Sequence, residues 1–120
     1  PDDADFECIH MVNEDESGKV LAYLRLFDLE KVQDARHRYI PGAWTFGRVA
    51  VHPDARGTGL GRKLLHAALE WIRDNTDAKE IVIAAQAYLK DTYYSPEGFV
   101  ERGEHYMESG IEHVEMVLKL

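Results

Sequence analysis

The chain has 120 residues, 45% of them hydrophobic, enough for one domain with a closed core. Its formal net charge of −8 speaks against nucleic acid and anionic membranes as partners, and no apolar run approaches the roughly 20 residues needed to cross a bilayer. A single cysteine, Cys8, leaves no intramolecular disulfide and no cysteine-based zinc cluster; the six histidines show no ligand spacing, so no metal site and a reducing, cytoplasmic setting are expected.

In chain order, "FECIHMV" (6–12) and "VLAYLRLF" (20–27) read as strands joined by the turn-rich "NEDESGK". Residues 28–42 lack a clean period and end in Pro41 and Gly42, which predicts a loop with room for a helical turn. "WTFGRVAV" (44–51) is a third strand, in which Gly47 marks a bulge or a close backbone approach. After the turn "HPDARGTG", Leu60, Leu64, Ala67, Ala68, Trp71 and Ile72 lay one apolar stripe along a helix that fades near Asn75. "EIVIAAQ" (80–86) is a short apolar run typical of a strand covered on both faces. "LKDTYYS" predicts a short helix stopped by Pro96. "FVERGEH" and "HVEMVLKL" read as a final antiparallel pair that turns near residues 108–110.

The order β-β-β-α-β-α-β-β predicts an α/β (α+β) fold: a mixed β-sheet with a central β-α-β unit, a parallel pair at its heart and antiparallel flanks. No repeat, low-complexity segment or second domain interrupts it, so residues 1–120 are expected to form a single domain.

The charge is unevenly spread. Residues 1–30 hold nine acids and two bases, and residues 64–120 hold eleven acids and five bases. Between them, residues 31–63 hold seven bases and two acids, and this basic stretch ends in "ARGTGLGRKLL" (55–65). Glycine costs a helix roughly 1 kcal/mol relative to alanine, yet Gly57, Gly59 and Gly61 stand where the helix begins, with Arg56, Arg62 and Lys63 around them. A helix N-terminus offers unpaired N–H groups and about half a positive charge, and glycine lets the backbone approach a bulky anion. The loop therefore has the makings of a phosphate or pyrophosphate cradle. It is not a GxxxxGK[ST] loop, and "GTGLG" is one residue short of GxGxxG; Glu80 opens the following strand instead of closing it, where a ribose-binding acid would stand. An R-x-x-G-x-G pattern after "GRVAVHPDA" remains.

On these residues the sequence resembles a known family. "GRVAVHPDARGTGLGRKLL" is similar to the acetyl-CoA-binding segment of the GNAT acetyltransferases, and "AAQAYL", "YYSPEGFV" and "GIEHVEM" resemble its ElaA-like branch. The likeness runs from about residue 5 onward, with no counterpart to the family's N-terminal strand and first helices, so the domain is expected to be truncated at its N-terminus. The resemblance implies acetyl-CoA as cosubstrate without a metal. Val49, Ala50 and Val51 would meet the pantetheine arm; the amides of Arg56, Gly57, Thr58, Gly59 and Gly61, with Arg62, would hold the pyrophosphate. A helix tyrosine would protonate the leaving thiolate. Counting back from Gly98-Phe99 selects Tyr94 and counting forward from Gln86 selects Tyr93; Tyr94 fits "FYxxxGF" without a gap, and Tyr93 then reads as core. Gln86 and His113 are candidates for the acceptor side, and Glu112 or His113 for the base that deprotonates the amine.

The implied reaction is N-acetyl transfer to a primary amine, carried by a small molecule or a peptide; the acidic flanks suggest a cationic one. A homodimer is the one assembly left open. Two other readings stand beside this one: a non-catalytic acyl-CoA-binding regulatory module, which would not need the tyrosine, and a structural domain whose glycines only shape a turn.

Overall fold

The computed structural model describes residues 8–31 and 39–120. Six strands form one sheet in the order β1-β2-β3-β4-β6-β5: β1 (Ile9–Glu14), β2 (Val20–Asp28), β3 (Ala43–Val51), β4 (Glu80–Gln86), β5 (Val100–Glu108) and β6 (Ile111–Lys119). Among the described residues only β3 and β4 run parallel, joined through the helix α1 (Leu60–Asn75); every other neighbouring pair there is antiparallel. This is the mixed sheet with a central β-α-β unit that the element order predicts.

The strand expected at 6–12 runs instead from Ile9 to Glu14, and Phe6 and Glu7 lie outside the described residues. The turn is shorter than its polar composition suggests because Asp15 organises it alone: Oδ1 accepts from the amides of Ser17 (2.9 Å) and Lys19 (3.1 Å). The helical turn allowed for within 28–42 falls largely on residues 32–38, also outside the described ones.

The helix α1 buries Leu64, Leu65, Ala68, Leu69 and Ile72. The predicted stripe is rotated slightly: Leu65 and Leu69 join the core, while Ala67 and Trp71 sit at its margin. Alternation along the strands supplies the facing layer, Ala22, Leu24 and Leu26 from β2, and Ile81, Ile83 and Ala85 from β4. The opposite face of the sheet buries Phe27, Ala43, Val82 and Val117, so β4 is covered on both sides as its unbroken apolar run implies. Thr76 closes the helix, its hydroxyl donating to the Ile72 carbonyl at 2.7 Å. Among the described residues no helix is long and apolar enough to cross a membrane.

The short helix expected at 89–95 is three successive turns: a 3-10 turn at Ala87–Leu89, a π turn at Lys90–Tyr94 and a 3-10 turn at Ser95–Glu97. Pro96 explains the break. An α-helix would satisfy the Thr92 carbonyl with the N–H of residue 96, which proline lacks. That carbonyl accepts instead from Arg62 Nη2 of α1 at 2.6 Å.

The core geometry makes one quantitative expectation. Leu65, fully buried under the sheet, should cost about 2–5 kcal/mol of unfolding free energy when cut back in Leu65→Ala. Val100→Ala on the exposed edge strand β5 should change it by less than about 0.5 kcal/mol. Urea unfolding of both variants checks this.

Candidate functional site

The site begins where two strands part. β3 and β4 pair only at Ala43–Glu80 and Trp44–Ile81. Beyond them β3 carries a bulge: Arg25 pairs with Gly47 and Tyr23 with Ala50, so Arg48 and Val49 together oppose Leu24. Arg48 takes φ +52 to make it. A bulge bends and re-aims its strand, and here the bent strand leaves β4 behind. Gly47 sits next to this bulge, as its place inside the strand suggested. Residues Ala50 and Val51 keep β2 along one edge, but no strand flanks their other edge among the described residues. Val49 and Ala50 are exposed and Val51 is half-buried, so the three residues expected to meet a pantetheine arm do present an open strand edge.

The open edge runs directly into the glycine loop. His52 Nδ1 accepts from the Asp54 amide at 3.1 Å and starts a tight turn over Pro53–Ala55. The amides of Arg56 and Thr58 point inward, to the carbonyls of Pro53 and Ala55, both at 3.3 Å. The Thr58 hydroxyl donates to Ala55 O at 2.5 Å and accepts from the Leu60 amide at 3.4 Å. Among the described residues the amides of Gly57, Gly59, Gly61 and Arg62 find no acceptor. The donor set expected at Arg56 to Gly61 is therefore corrected: Arg56 and Thr58 spend their N–H groups on the loop itself, and the Arg62 amide joins the outward set.

The glycines serve two purposes. Gly57 and Gly59 have φ +79 and +81, with open space where a Cβ would stand; their requirement is the left-handed backbone. Gly61 is needed for proximity, because its Cβ would lie 3.1 Å from Val51 Cγ2 and 3.7 Å from the Tyr93 hydroxyl. The missing side chain lets the first turn of α1 sit against the end of β3.

The two flanking arginines part company. Arg56 is exposed, with Nε bonded to the Val51 carbonyl at 3.3 Å. Arg62 turns its guanidinium away from the loop: it holds the Thr92 and Tyr93 carbonyls, lies 3.6 Å from Glu97 and sits 5.3 Å over the Tyr93 ring. What Arg62 brings to the loop is its backbone N–H.

The tyrosines are equally distinct. Tyr93 donates its hydroxyl to the Gly61 carbonyl at 2.9 Å, and burial pushes its pKa up. It ties the 87–97 segment to the start of α1, which fits the structural role expected of it. Tyr94 is buried against Phe46 and Phe99, with ring centroids 6.2 and 5.9 Å away. Its hydroxyl has no partner among the described residues. Burial first, then the Tyr93 and Tyr88 hydroxyls, push its pKa up to about 12, so it stays protonated through neutral pH.

Across the gap, Gln86 ends β4 opposite His113 of β6. Both line a cleft of about 750 Å³, with Thr45, Phe46, Gly47 and Arg48 on the β3 side. Strand alternation separates the two candidate bases. His113 faces this cleft, whereas Glu112 lies on the other side, 3.1 Å from His105 Nδ1. Sequence reasoning missed Arg25, Tyr106 and Glu108, which also line the cleft. Arg25 was within reach of a period-2 reading, since Leu24 and Leu26 must take the α1 face. The cleft is of mixed charge: Arg25 and Arg48 share it with Glu108 and Glu115, and Glu115 binds Arg102 at 2.8 Å. The acidity of the flanking segments is not concentrated there.

Comparison with known proteins gives this geometry its context. The profile of the acetyltransferase (GNAT) domain matches residues 29–120. A UPF0039 protein of Schizosaccharomyces pombe is 38% identical over 120 residues, covering 99% of this chain and 73% of its own length. The protein ElaA of Escherichia coli is 31% identical over 104 residues, 83% of this chain and 60% of ElaA. Among solved structures, an acyl-CoA N-acyltransferase from Pseudomonas aeruginosa superposes with a TM-score of 0.73 at 37% identity, over 91% of this chain and 66% of that one. Crystalline ElaA from Escherichia coli gives 0.74 at 25% identity, over 92% and 67%. The chain thus spans 60–73% of the length of these relatives. The parted strands, the glycine loop between them and α1, and the sequence likeness along nearly the whole chain lead to one conclusion: the chain belongs to the GNAT acetyltransferase family and groups with its ElaA-like members.

Proposed function

We propose that the chain transfers an acetyl group from acetyl-CoA to a primary amine, on a small molecule or a peptide, by direct attack of the amine on the thioester. The observation that carries this reading is the succession of a strand edge at 49–51 that no strand flanks among the described residues and, beyond the turn, the outward amides of Gly57, Gly59, Gly61 and Arg62. An extended amide-bearing arm that ends in a pyrophosphate complements such a succession. The pantetheine amides would bond the strand edge as an added strand does, and the pyrophosphate would take the loop amides at the positive end of α1.

The acyl group would then reach the cleft between β3 and β4. The amine attacks the carbonyl carbon, the C–N bond forms and the C–S bond breaks. The departing thiolate, with a pKa of about 8.5 by analogy with cysteine, needs a proton. Tyr94 holds one on an unpartnered hydroxyl, and its raised pKa keeps the proton available at every physiological pH. Gln86 and His113, which line this cleft, would meet the acceptor. A non-catalytic acyl-CoA-binding module would keep the loop but has no use for that hydroxyl.

Two measurements test the reading. Gly59→Val forces a β-branched residue to φ +81 and places its side chain in the space over the loop. Its strain should cost about 1–2 kcal/mol of stability, while the CoA Kd, read by calorimetry, should rise more than about tenfold. An unchanged Kd in a folded variant refutes the cradle. Tyr94→Phe should lower kcat by roughly 10²–10⁴-fold and leave CoA affinity unaltered. Because Tyr94 remains protonated, that loss should be uniform between about pH 6 and 9. Should Tyr93→Phe carry the loss instead, the acid is Tyr93.

A further inference from the structure

Resting on the acyl-transfer reading above, we infer that His113 is the base that deprotonates the acceptor amine, acting through Nε2 with Glu108 holding the incoming ammonium beside it. His113 Nδ1 lies 2.8 Å from the Ile111 carbonyl. A carbonyl oxygen only accepts, so Nδ1 carries the proton and the lone pair of the neutral ring is on Nε2. The ring is held in place on both sides of that bond: it stacks on Tyr106 with centroids 5.8 Å apart, and it is buried to 9% exposure.

His113 and Glu108 both line the cleft, and Glu108 Oε2 stands 3.7 Å from Nε2. That spacing is too long for a direct hydrogen bond and leaves the lone pair unquenched. The carboxylate is half-exposed, at 53% of its side-chain surface. An ammonium group drawn toward Glu108 meets a proton acceptor on the same side of the cleft, which solves the amine's problem. In water it arrives charged and attracted, and it must be neutral to react.

Besides Tyr106, the remaining charged and polar residues lining the cleft are Gln86 from β4, Ser109 and Glu115 beside and on β6, and Arg25, Thr45 and Arg48 on β2 and β3. Glu112, the other candidate, is on the far side of β6 with His105 and cannot serve this cleft.

The proton balance closes. Nε2 takes one proton from R–NH₃⁺ and releases it to water at Glu108. The neutral nitrogen forms the C–N bond and the C–S bond breaks. The thiolate takes the Tyr94 proton, and the second proton shed by the acylated nitrogen returns to Tyr94 through solvent. One N–H stays on the amide.

The test uses the full chain with acetyl-CoA and three primary amines, benzylamine, spermidine and the dipeptide Ala-Ala, read by free-thiol release corrected for the uncatalysed rate. For the fastest amine, His113→Gln and His113→Asn should lower kcat/KM roughly 10²–10⁴-fold near neutral pH with the CoA Kd unchanged. The deficit should shrink about tenfold per pH unit toward the amine's own pKa, because solution then supplies the neutral amine. A deficit independent of pH, no deficit, or a parallel loss of CoA affinity overturns the assignment. Imidazole ¹⁵N NMR of the unaltered chain checks it without a variant: neutral His113 should be the Nδ1–H tautomer, and the Nε2–H tautomer overturns it. If the unaltered chain binds CoA and turns over none of the three amines, the transferase reading itself falls, and this assignment with it.

Discussion

The structure depends on a sheet that is deliberately left unzipped at its centre. Two residues of pairing hold β3 to β4, and then the strands separate. Backbone N–H and C=O groups stripped of partners are costly when buried, so such a gap survives only if each strand is secured on its other edge. Both are. β2 follows β3 from Asp28–Trp44 to Ala22–Val51, and β6 pairs with β4 at all seven positions. The gap is therefore held open by strand pairing on both of its outer sides. The bulge at Arg48 and Val49 sets the angle of separation.

The second support of the site is the contact between α1 and the 87–97 segment. Pro96 breaks the helical hydrogen-bond ladder, and Arg62 reaches across from α1 to take the Thr92 carbonyl that this leaves exposed, and the Tyr93 carbonyl beside it. Tyr93 returns the contact by donating to Gly61. Glu97 completes it, bonded to His66 and close to Arg62. The π turn is what allows two adjacent tyrosines to do different work. It directs Tyr93 to the helix start and Tyr94 into the wall beside Phe46, with their rings at 74°. The positive charge that looked destined for a phosphate is thus partly structural.

Charge along the chain and charge in space are different quantities here. Several acids are engaged in exposed or partly exposed pairs: Glu80 with Lys119, Glu115 with Arg102 and Glu101 with Lys90 in the C-terminal flank, and Asp54 of the basic stretch with Lys19. Pairs of this kind add little stability, about 0–1 kcal/mol each, but they cancel local fields. The cleft carries both signs, Arg25 and Arg48 beside Glu108 and Glu115, whatever the net charge of the chain.

Local chemistry was legible in the residues themselves. Glycines at alternate positions before an apolar stripe announce a helix that begins at an open loop, because glycine is costly anywhere a helix gains nothing from it. Alternation and turn composition located the six strands of the described residues to within a few residues, while the family likeness narrowed the acid to Tyr94 or Tyr93 and favoured Tyr94. Periodicity reads only one element at a time, so what depended on two elements meeting was hidden. Nothing in "GRVAV" says that β4 departs after Ile81. Nothing in "ARGTGLGR" says that the Arg56 and Thr58 amides turn inward while the Arg62 side chain crosses to Thr92. The choice between Glu112 and His113 required knowing which face of β6 fronts the gap, and a one-residue shift in register reverses that answer. Sequence by itself determined the elements, the loop and the family; the register of β6, the bulge in β3 and the carbonyl freed by Pro96 decided which of those residues line the cleft and the open loop, because those are properties of pairs of segments held together by packing.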